Sequence, residues 1–304
     1  MHKKIFCGFF VTLAGFLIIV TAWNVHSHVL DPNYSTEILR RLISVEEFNR
    51  SKQGAKLFCW VGTHEPNFDK AINVFNLWGS KFDKIIFVVN TDSFGVLPFV
   101  RFPLQETRDN LWHKTVFAFR HIYENYLDEF DWFMKADDDT FIVVDNLITF
   151  LSGYNYNKSY VFGREFVQNG VTFPSGGSGY VFSRGALKQF MKGFDENCGD
   201  FEGILEDVNI GICLSKLGME LTDTRDSLGR FRFNPLSARD HLFTRRGYNP
   251  QWIYDIEKYE MREEQYCCAS DVITFHYMGI EESIEFANIL EKDPKNQFIP
   301  TKFD

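Results

Sequence analysis

The most constraining feature of this chain is a run of three aspartates, Asp137–Asp139, that directly follows the aromatic-rich segment Asp131–Ala136. A short aromatic run that leads into clustered carboxylates is typical of a buried strand that ends at a site. Adjacent like charges repel, so the cluster costs free energy unless a cation offsets it. Apolar and β-branched residues resume over Thr140–Val144. This pattern favours a hard divalent metal over a solvated turn.

Strand and helix patterns alternate through the first half of the chain. Compact apolar runs predict strands, and apolar residues at helical spacing predict helices. The predicted elements, in chain order, are strand Leu57–Val61, helix Phe68–Trp78, strand Lys84–Val89, helix Leu111–Tyr126, strand Trp132–Lys135 and helix Val144–Leu151. Such alternation favours an α/β fold with a mostly parallel sheet and helices on both faces. Ligands bind such sheets at the carboxyl ends of strands, where the aspartates and Gly62-Thr63 lie.

Size and charge narrow the class further. The 304 residues are enough for one large domain or two modest ones, and no linker-like composition marks a boundary. The formal net charge of −9 gives no support for nucleic-acid binding and favours divalent cations.

Residues 5–23 carry no formal charge and approach the length that spans a bilayer as a helix. The alternatives are a cleaved signal peptide and an uncleaved anchor. The length of the run, with no small-x-small pair before a plausible cleavage point, favours the anchor. The pair Lys3-Lys4 favours a cytoplasmic N-terminus. We therefore predict a type II membrane protein with a tail over 1–4, an anchor over 5–23, a stem over 24–56 and a lumenal domain over 57–304.

Glycosylation triplets and cysteines agree with a lumenal address. Three Asn-x-Ser triplets begin at Asn33, Asn49 and Asn157, each a weak signal alone. In an oxidising lumen most cysteines outside the anchor should pair, and their odd number leaves one over. These cysteines are Cys59, Cys198, Cys213, Cys267 and Cys268.

Asp137 and Asp139 are the first candidate metal ligands. Residues two apart at an extended strand end face the same way, so both carboxylates can reach one metal. Mg²⁺ and Mn²⁺ accept such oxygen ligands and bind diphosphates beside them. The alternative for this pattern is an acidic loop.

The segment Lys135–Thr140 resembles the DxD motif of GT-A type nucleotide-sugar glycosyltransferases. More narrowly, it resembles the core-1 β1,3-galactosyltransferases (glycoprotein-N-acetylgalactosamine 3-beta-galactosyltransferases), with the fringe proteins as more distant relatives. The resemblance runs from about Leu57 to Tyr277. It implies a GT-A fold and an inverting enzyme that transfers galactose from UDP-galactose to the 3-hydroxyl of N-acetylgalactosamine O-linked to Ser or Thr.

Further matches to the family concern the metal site and its surroundings. The segment Thr274–Tyr277 resembles the family's S-F-H-Y segment, which implies His276 as a third ligand of Mn²⁺ and Tyr277 as a neighbour of the donor. A lone His beside aromatics is otherwise a structural residue. Asp138 lies between two ligands, so we expect it to face the other way and to contact the donor sugar or ribose.

The segment Glu106–Thr115 opens the long predicted helix, and a helix N-terminus with basic residues suits an anionic nucleotide. The resemblance implies a UDP pocket lined by Arg108, Asp109, Lys114 and Thr63. The alternative is a charged cap on an amphipathic helix.

The segment Ser175–Ser183 resembles the family's GGAGYVLS segment, which lines the acceptor sugar. Its glycines permit close approach of the backbone to a ligand, so Gly176 and Gly177 are candidate binding residues. A tight turn without a ligand is the alternative.

The segment Leu205–Gly211 resembles the family's EDV segment, whose acidic residues supply the general base. A base must take the proton of the attacking acceptor hydroxyl. We assign this role to Asp207, with Glu206 as the competitor. The alternative is a helix-start carboxylate pair that the helix dipole stabilises.

The cysteine pattern also matches. Cys267-Cys268 resembles the family's C-C-S-D segment, whose adjacent cysteines form a vicinal disulfide, and Cys198 would then pair with Cys213. Phe82 stands where many members have the partner of Cys59, so Cys59 is expected to be a free buried thiol.

Two departures keep rival functions open. Asn234 stands where the family commonly has His, and residues 249–254 lack the fuller aromatic run. A fringe-like β1,3-glycosyltransferase with another donor or acceptor is therefore one alternative. A non-catalytic family chaperone is another, although such relatives lose the DxD that this chain keeps. The predicted partners are UDP-galactose, O-GalNAc glycoproteins and the Golgi membrane, with no nucleic acid. The oligomeric state stays open, a homodimer among the alternatives.

Overall fold

The computed structural model describes residues 54–198, 205–247 and 250–292. The predicted tail and anchor, and the stem up to residue 53, lie outside the described residues. Within the described ranges, no helix combines the length and apolar character that crossing a bilayer requires.

The described residues alternate between strands and helices as the sequence predicts. The strands are β1 Leu57–Gly62, β2 Lys84–Val89, β3 Phe99–Arg101, β4 Trp132–Asp137, β5 Phe141–Ile142, β6 Val161–Gly163, β7 Glu165–Gln168, β8 Val171–Pro174, β9 Tyr180–Ser183, β10 Leu221–Thr222, β11 Phe233–Asn234 and β12 Thr274–Phe275. The α-helices are α1 Phe68–Leu77, α2 Leu111–Tyr126, α3 Val144–Leu151, α4 Arg184–Asn197, α5 Glu206–Lys216, α6 Ala238–Phe243, α7 Trp252–Ile256 and α8 Ile280–Lys292.

The central sheet has the strand order β10-β6-β9-β4-β1-β2-β3. Its neighbours pair in parallel, except that β9 runs antiparallel to both β4 and β6. A small sheet of order β11-β12-β5 and the hairpin β7-β8 complete the described strands. The predicted α/β architecture with a mostly parallel sheet is therefore confirmed.

The apolar alternation of β1 divides the core between the two faces of the sheet. Leu57, Cys59 and Val61 pack into one cluster, which also takes side chains from α1, α3 and α8. Phe58 and Trp60 point to the opposite face, where α2, α4 and α5 contribute. Full burial of one large apolar side chain stabilises the fold by about 1.5–3 kcal/mol, so both faces contribute strongly. The prediction of helices on both faces is confirmed.

The strand register brings together the two strand ends at which the sequence predicts a ligand site. Gly62, the last residue of β1, pairs with Asp137, the last residue of β4. The small sheet joins this edge, because β5 follows the aspartates and pairs with β12. The backbone N–H of Met278 donates to the carbonyl of Asp139 at 2.9 Å and fixes the segment after β12 beside the aspartates.

The described cysteines pair as the resemblance implied. Cys198 at the end of α4 bonds to Cys213 in α5, and Cys267 bonds to its neighbour Cys268. Cys59 is unpaired and buried, and burial raises the pKa of its thiol. The Cys59 thiol is therefore neutral and inaccessible to solvent.

Candidate active site

The aspartate run forms a turn rather than an extended strand end. Asp137 closes β4, and the N–H of Thr140 donates to the carbonyl of Asp137 at 3.1 Å. The Thr140 hydroxyl also accepts the N–H of Asp137 at 3.0 Å. We expected the carboxylates of Asp137 and Asp139 to face the same way because the backbone there would be extended. That reason is wrong. The turn brings their carboxylates together instead.

The three candidate metal ligands lie close to one another. One ligand atom each from Asp137, Asp139 and His276 falls within 4.8 Å of the other two. Nε2 of His276 lies 3.2 Å from Oδ1 of Asp139. Burial raises the pKa of Asp139, but the hydrogen bond and charge of His276 outweigh burial and lower it overall. Two carboxylates and one imidazole form a donor set that fits Mn²⁺ or Mg²⁺.

Asp138 faces away from this group. Its Oδ2 accepts hydrogen bonds from the Thr63 hydroxyl at 2.7 Å and from the Asn67 amide at 2.9 Å. Nζ of Lys70 lies 3.7 Å from its Oδ1. Burial raises the pKa of Asp138. The carboxylate therefore ties the end of β1 to the start of α1, a contact that the sequence alone did not reveal.

The glycine loop between β8 and β9 packs directly against the candidate ligands. A Cβ added to Gly177 would lie 2.0 Å from Cε1 of His276, and one added to Gly176 would lie 2.8 Å from Oε2 of Glu206. The Thr140 hydroxyl donates to the carbonyl of Gly177 at 2.9 Å. The loop thus needs glycine because its backbone touches the side chains of the site.

The candidate base lies in the first turn of α5. Oδ2 of Asp207 accepts the N–H of Gly176 at 3.2 Å, and its Oδ1 accepts the N–H of Val208 at 2.9 Å. Burial raises the pKa of Asp207. Glu206 is more enclosed: its Oε1 accepts the Tyr180 hydroxyl at 2.9 Å, and burial raises its pKa to about 7. Both carboxylates lie beside the glycine loop.

Lys135 is a site residue that sequence reasoning missed. Its Nζ lies 2.8 Å from Oδ1 of Asp137, 2.9 Å from the carbonyl of Gly176 and 3.9 Å from Oε1 of Glu206. Burial lowers the pKa of Lys135, but the neighbouring carboxylates, Asp137 first, outweigh it and raise the pKa overall. The available signal was its position two residues before Asp137, because alternate strand residues share one face.

The predicted nucleotide-binding residues divide into two groups. Thr63 and Lys114 are buried, and the Lys114 ammonium donates to the Thr63 carbonyl and to both carboxylate oxygens of Glu106. Burial lowers the pKa of Lys114. Arg108 and Asp109 are exposed on the 3₁₀ turn that precedes α2. Lys114 therefore lines the cleft described next, whereas Thr63, Arg108 and Asp109 are not among its lining residues.

A cleft of about 180 Å³ opens between these elements. It runs from Gly62 and Asp137 on the sheet edge to Glu206 and Asp207 on α5, with Lys114 and Lys135 in its walls. Tyr277 is 54% exposed, and its ring stacks on His276 with 3.7 Å between centroids. Its φ of 55° is a left-handed backbone conformation, which costs a non-glycine residue about 1–3 kcal/mol and recurs at functional sites.

A candidate oxygen-rich cation site at the carboxyl edge of an α/β sheet, beside the buried Glu206 and half-buried Asp207 carboxylates, is typical of enzymes that bind a phosphate-bearing ligand through a metal ion. A family model described as Fringe-like matches residues 104–228. The chain is 33% identical over 264 residues to glycoprotein-N-acetylgalactosamine 3-beta-galactosyltransferase 1 of Xenopus laevis, a match that covers 84% of this chain and 69% of that protein. The chain belongs to the core-1 β1,3-galactosyltransferase and fringe family, as its motifs predicted.

More distant similarities cover less of the sequence or align more loosely. The chain is 31% identical over 116 residues to chondroitin sulfate synthase 3 of Homo sapiens, across 34% of this chain and 13% of that protein. A glycosyltransferase involved in glycosylation of the major capsid of PBCV-1 gives a TM-score of 0.40 at 11% identity, covering 78% of this chain and 99% of that one. The galactosyltransferase LgtC, in complex with donor and acceptor sugar analogs, gives 0.38 at 15% identity, covering 76% and 95% respectively.

Proposed function

We propose that this protein is an inverting β1,3-galactosyltransferase that transfers galactose from UDP-galactose to the 3-hydroxyl of N-acetylgalactosamine O-linked to Ser or Thr. The observation that carries the proposal is the convergence of Asp137, Asp139 and His276 beside Asp207, in a chain of this family. We infer further that the central sheet is that of a GT-A nucleotide-sugar fold, because the DxD turn closes a parallel strand at its carboxyl edge.

Mn²⁺ would be held by Asp137, Asp139 and His276, and when bound it would offset the charge that develops on the leaving diphosphate. Asp207 would accept the proton of the acceptor 3-hydroxyl as that oxygen attacks the anomeric carbon of galactose. The new glycosidic bond forms while the bond to the UDP oxygen breaks, so the α-linked donor gives a β-linked product without a covalent sugar–enzyme species.

The remaining residues of the cleft would bind and orient. Gly176 and Gly177 present backbone at the cleft wall, where an acceptor sugar can approach closely. Lys114, which donates to the Thr63 carbonyl, lines the cleft where the nucleotide would bind, and exposed Arg108 on the turn before α2 would supply further positive charge. Tyr277 covers the face of the His276 imidazole and would limit water access to the cation.

The cellular address is part of the proposal. An uncleaved anchor at 5–23 would hold residues 57–304 in the Golgi lumen, where UDP-sugars and O-glycosylated proteins meet. The support is the charge-free N-terminal run, the preceding Lys3-Lys4 pair and the two disulfides. Disulfides form and persist in such oxidising compartments.

A fringe-like enzyme with another donor or acceptor is the second candidate, because Asn234 stands where the family commonly has His and residues 249–254 lack the fuller aromatic run. Asn234 is fully buried, and its amide donates to the carbonyl of Thr274 at 3.1 Å, between β11 and β12. Its side chain therefore supports the sheet that leads to His276. This placement weakens the case that Asn234 itself sets the acceptor.

A donor screen tests the proposal. Detergent-solubilised full-length protein is incubated with Mn²⁺, a peptide carrying O-linked N-acetylgalactosamine, and in turn UDP-galactose, UDP-N-acetylglucosamine, UDP-N-acetylgalactosamine and UDP-glucose. We expect turnover with UDP-galactose and a β1,3 linkage by NMR of the product. Turnover with another donor alone would favour the fringe-like candidate, and none with any donor would favour a non-catalytic relative.

A further inference from the structure

The turn that connects α3 to β6 contains an Asn-Lys-Ser triplet that the proposed catalysis does not use. Asn157, Lys158 and Ser159 are consecutive exposed residues. The triplet has the Asn-x-Ser pattern of N-linked glycosylation, in which the asparagine must be accessible on the surface of a secreted or lumenal protein. Exposure of all three side chains removes the commonest structural objection to such a triplet.

The backbone of this turn is nevertheless well fixed. The N–H of Lys158 donates to the Asn155 carbonyl at 2.9 Å, and the N–H of Asn157 donates to the Asn155 side-chain oxygen at 3.0 Å. The Ser183 hydroxyl, which caps α4, donates to the Lys158 carbonyl at 2.6 Å. The N–H of Gly185 donates to the Tyr156 carbonyl at 2.9 Å. The turn is thus held against α4 by its backbone, and a large group on Asn157 would extend into solvent without displacing a packed side chain.

The turn lies at the edge of the sheet opposite the cleft. Strand β9 pairs Ser183 with Trp132, at the start of β4, and Tyr180 with Lys135, near its end. The turn contacts Ser183, so it lies by the start of β4. Strands rise by about 3.3 Å per residue, so Asp137 lies roughly 17 Å further along β4. The described chain also enters β1 at this edge, because the N–H of Lys56 donates to the Asp131 carboxylate.

We propose that Asn157 carries an N-linked glycan. In this step the side-chain amide nitrogen attacks the anomeric carbon of an oligosaccharide carried on a polyprenyl diphosphate. The N-glycosidic bond forms, the bond to the diphosphate oxygen breaks, and the amide loses one proton. The proposal rests on the lumenal address given under the proposed function. A glycan at this edge leaves the cleft open, as an enzyme with bulky glycoprotein acceptors requires.

To test this, the double variant N33Q/N49Q of the full chain is expressed in cells that have a secretory pathway. The remaining Asn-x-Ser/Thr triplet in the sequence is then the one at Asn157. We expect a single glycan that peptide-N-glycosidase F removes, with conversion of Asn157 to aspartate seen by mass spectrometry. Adding N157Q or S159A to this background should abolish the mobility shift. The matched change S159T, which keeps the triplet, should retain it.

The possible outcomes distinguish glycosylation of Asn157 from the lumenal location on which the proposal rests. A glycan at Asn33 or Asn49 in the unmodified chain, with none at Asn157, overturns the proposal and leaves the lumenal address intact. Absence of any glycan also overturns the proposal. As a second measurement, the single variant N157Q should keep kcat/KM for UDP-galactose within about twofold of the unmodified enzyme, because the turn is remote from the cleft. A tenfold loss in a folded N157Q protein would contradict the remote placement.

Discussion

Nζ of Lys135 lies 2.8 Å from Oδ1 of Asp137 and 3.9 Å from Oε1 of Glu206, and so links the candidate cation site to the competing carboxylate beside Asp207. The same ammonium contacts the glycine loop and approaches Glu206, so three separate elements meet at one buried charge. A buried cation with several acceptors fixes geometry as well as charge.

Lys135→Met is expected to lower kcat at least tenfold and to destabilise the fold by about 2–3 kcal/mol, since it leaves the buried Glu206 carboxylate without this cation while partly exposed Asp137 stays screened by solvent. The Mn²⁺ concentration for half-maximal activity should not rise, because one competing positive charge is removed from Asp137. Chemical denaturation and metal titration check both statements. Lys188→Met, at an exposed position on α4, is the matched control. A variant with normal kcat would remove Lys135 from the positioning role.

Gly177→Ala is expected to abolish high-affinity Mn²⁺ binding. The new methyl group would lie 2.0 Å from Cε1 of His276, so the imidazole must move. A displacement of about 1 Å at a catalytic group can cost 10²-fold in rate, and we expect at least that loss of kcat/KM. Electron paramagnetic resonance of bound Mn²⁺ measures the affinity. Gly153→Ala, where the added methyl meets its nearest atom at 3.6 Å, serves as control. Unchanged affinity in G177A would contradict the contact.

Removal of divalent metal by EDTA is expected to stop transfer, and added Mn²⁺ is expected to restore it. The charge on the departing diphosphate would otherwise have little compensation in a site that already holds several carboxylates. His276→Ala should weaken Mn²⁺ binding by one to two orders of magnitude, about 1.4 kcal/mol for each factor of ten. Isothermal titration of the apo protein with Mn²⁺ measures the change. Transfer that persists in EDTA would exclude the metal role.

Asp207→Asn is expected to reduce kcat by about 10²–10⁴-fold, the range that general-base groups contribute, with little change in the KM for UDP-galactose. Glu206→Gln should retain more activity, because its carboxylate already accepts the Tyr180 hydroxyl. Steady-state kinetics of the two variants, with circular dichroism to establish folding, decides between the carboxylates. The reverse ranking would make Glu206 the base.

Glu206 also gives a pH-dependent stability. Burial raises its pKa from the ordinary 4.5 to about 7, so the folded protein holds a proton that the unfolded chain releases. The contribution of Glu206 to stability is therefore complete below about pH 4.5 and is lost as the pH rises through 7. The free energy of unfolding of Glu206→Gln, relative to the unmodified protein, should rise by about 1–3 kcal/mol between pH 4.5 and pH 8. Parallel pH curves for the two proteins would contradict the raised pKa.

The sequence was sufficient to predict the parts of the fold that local pattern determines. Strand β4 and the aspartates that follow it are adjacent in the chain, and the alternation around them predicts parallel neighbours. The contacts of Lys135 with Gly176 and Glu206 join distant segments, and they depend on the reversed direction of β9. The two-residue strand β12 is too short to produce a periodicity, so the position of His276 came from the family resemblance alone.

The candidate ligands come from the end of β4 and from the segment after β12, which the Met278–Asp139 backbone bond already joins. A cation bound there would act as a clasp between the central sheet and the C-terminal part of the chain. Because a ligand that binds only the folded state stabilises it by mass action, bound metal would lower the fraction of molecules in which that segment is locally open. Protease susceptibility around α8 should consequently fall when the protein is loaded with metal.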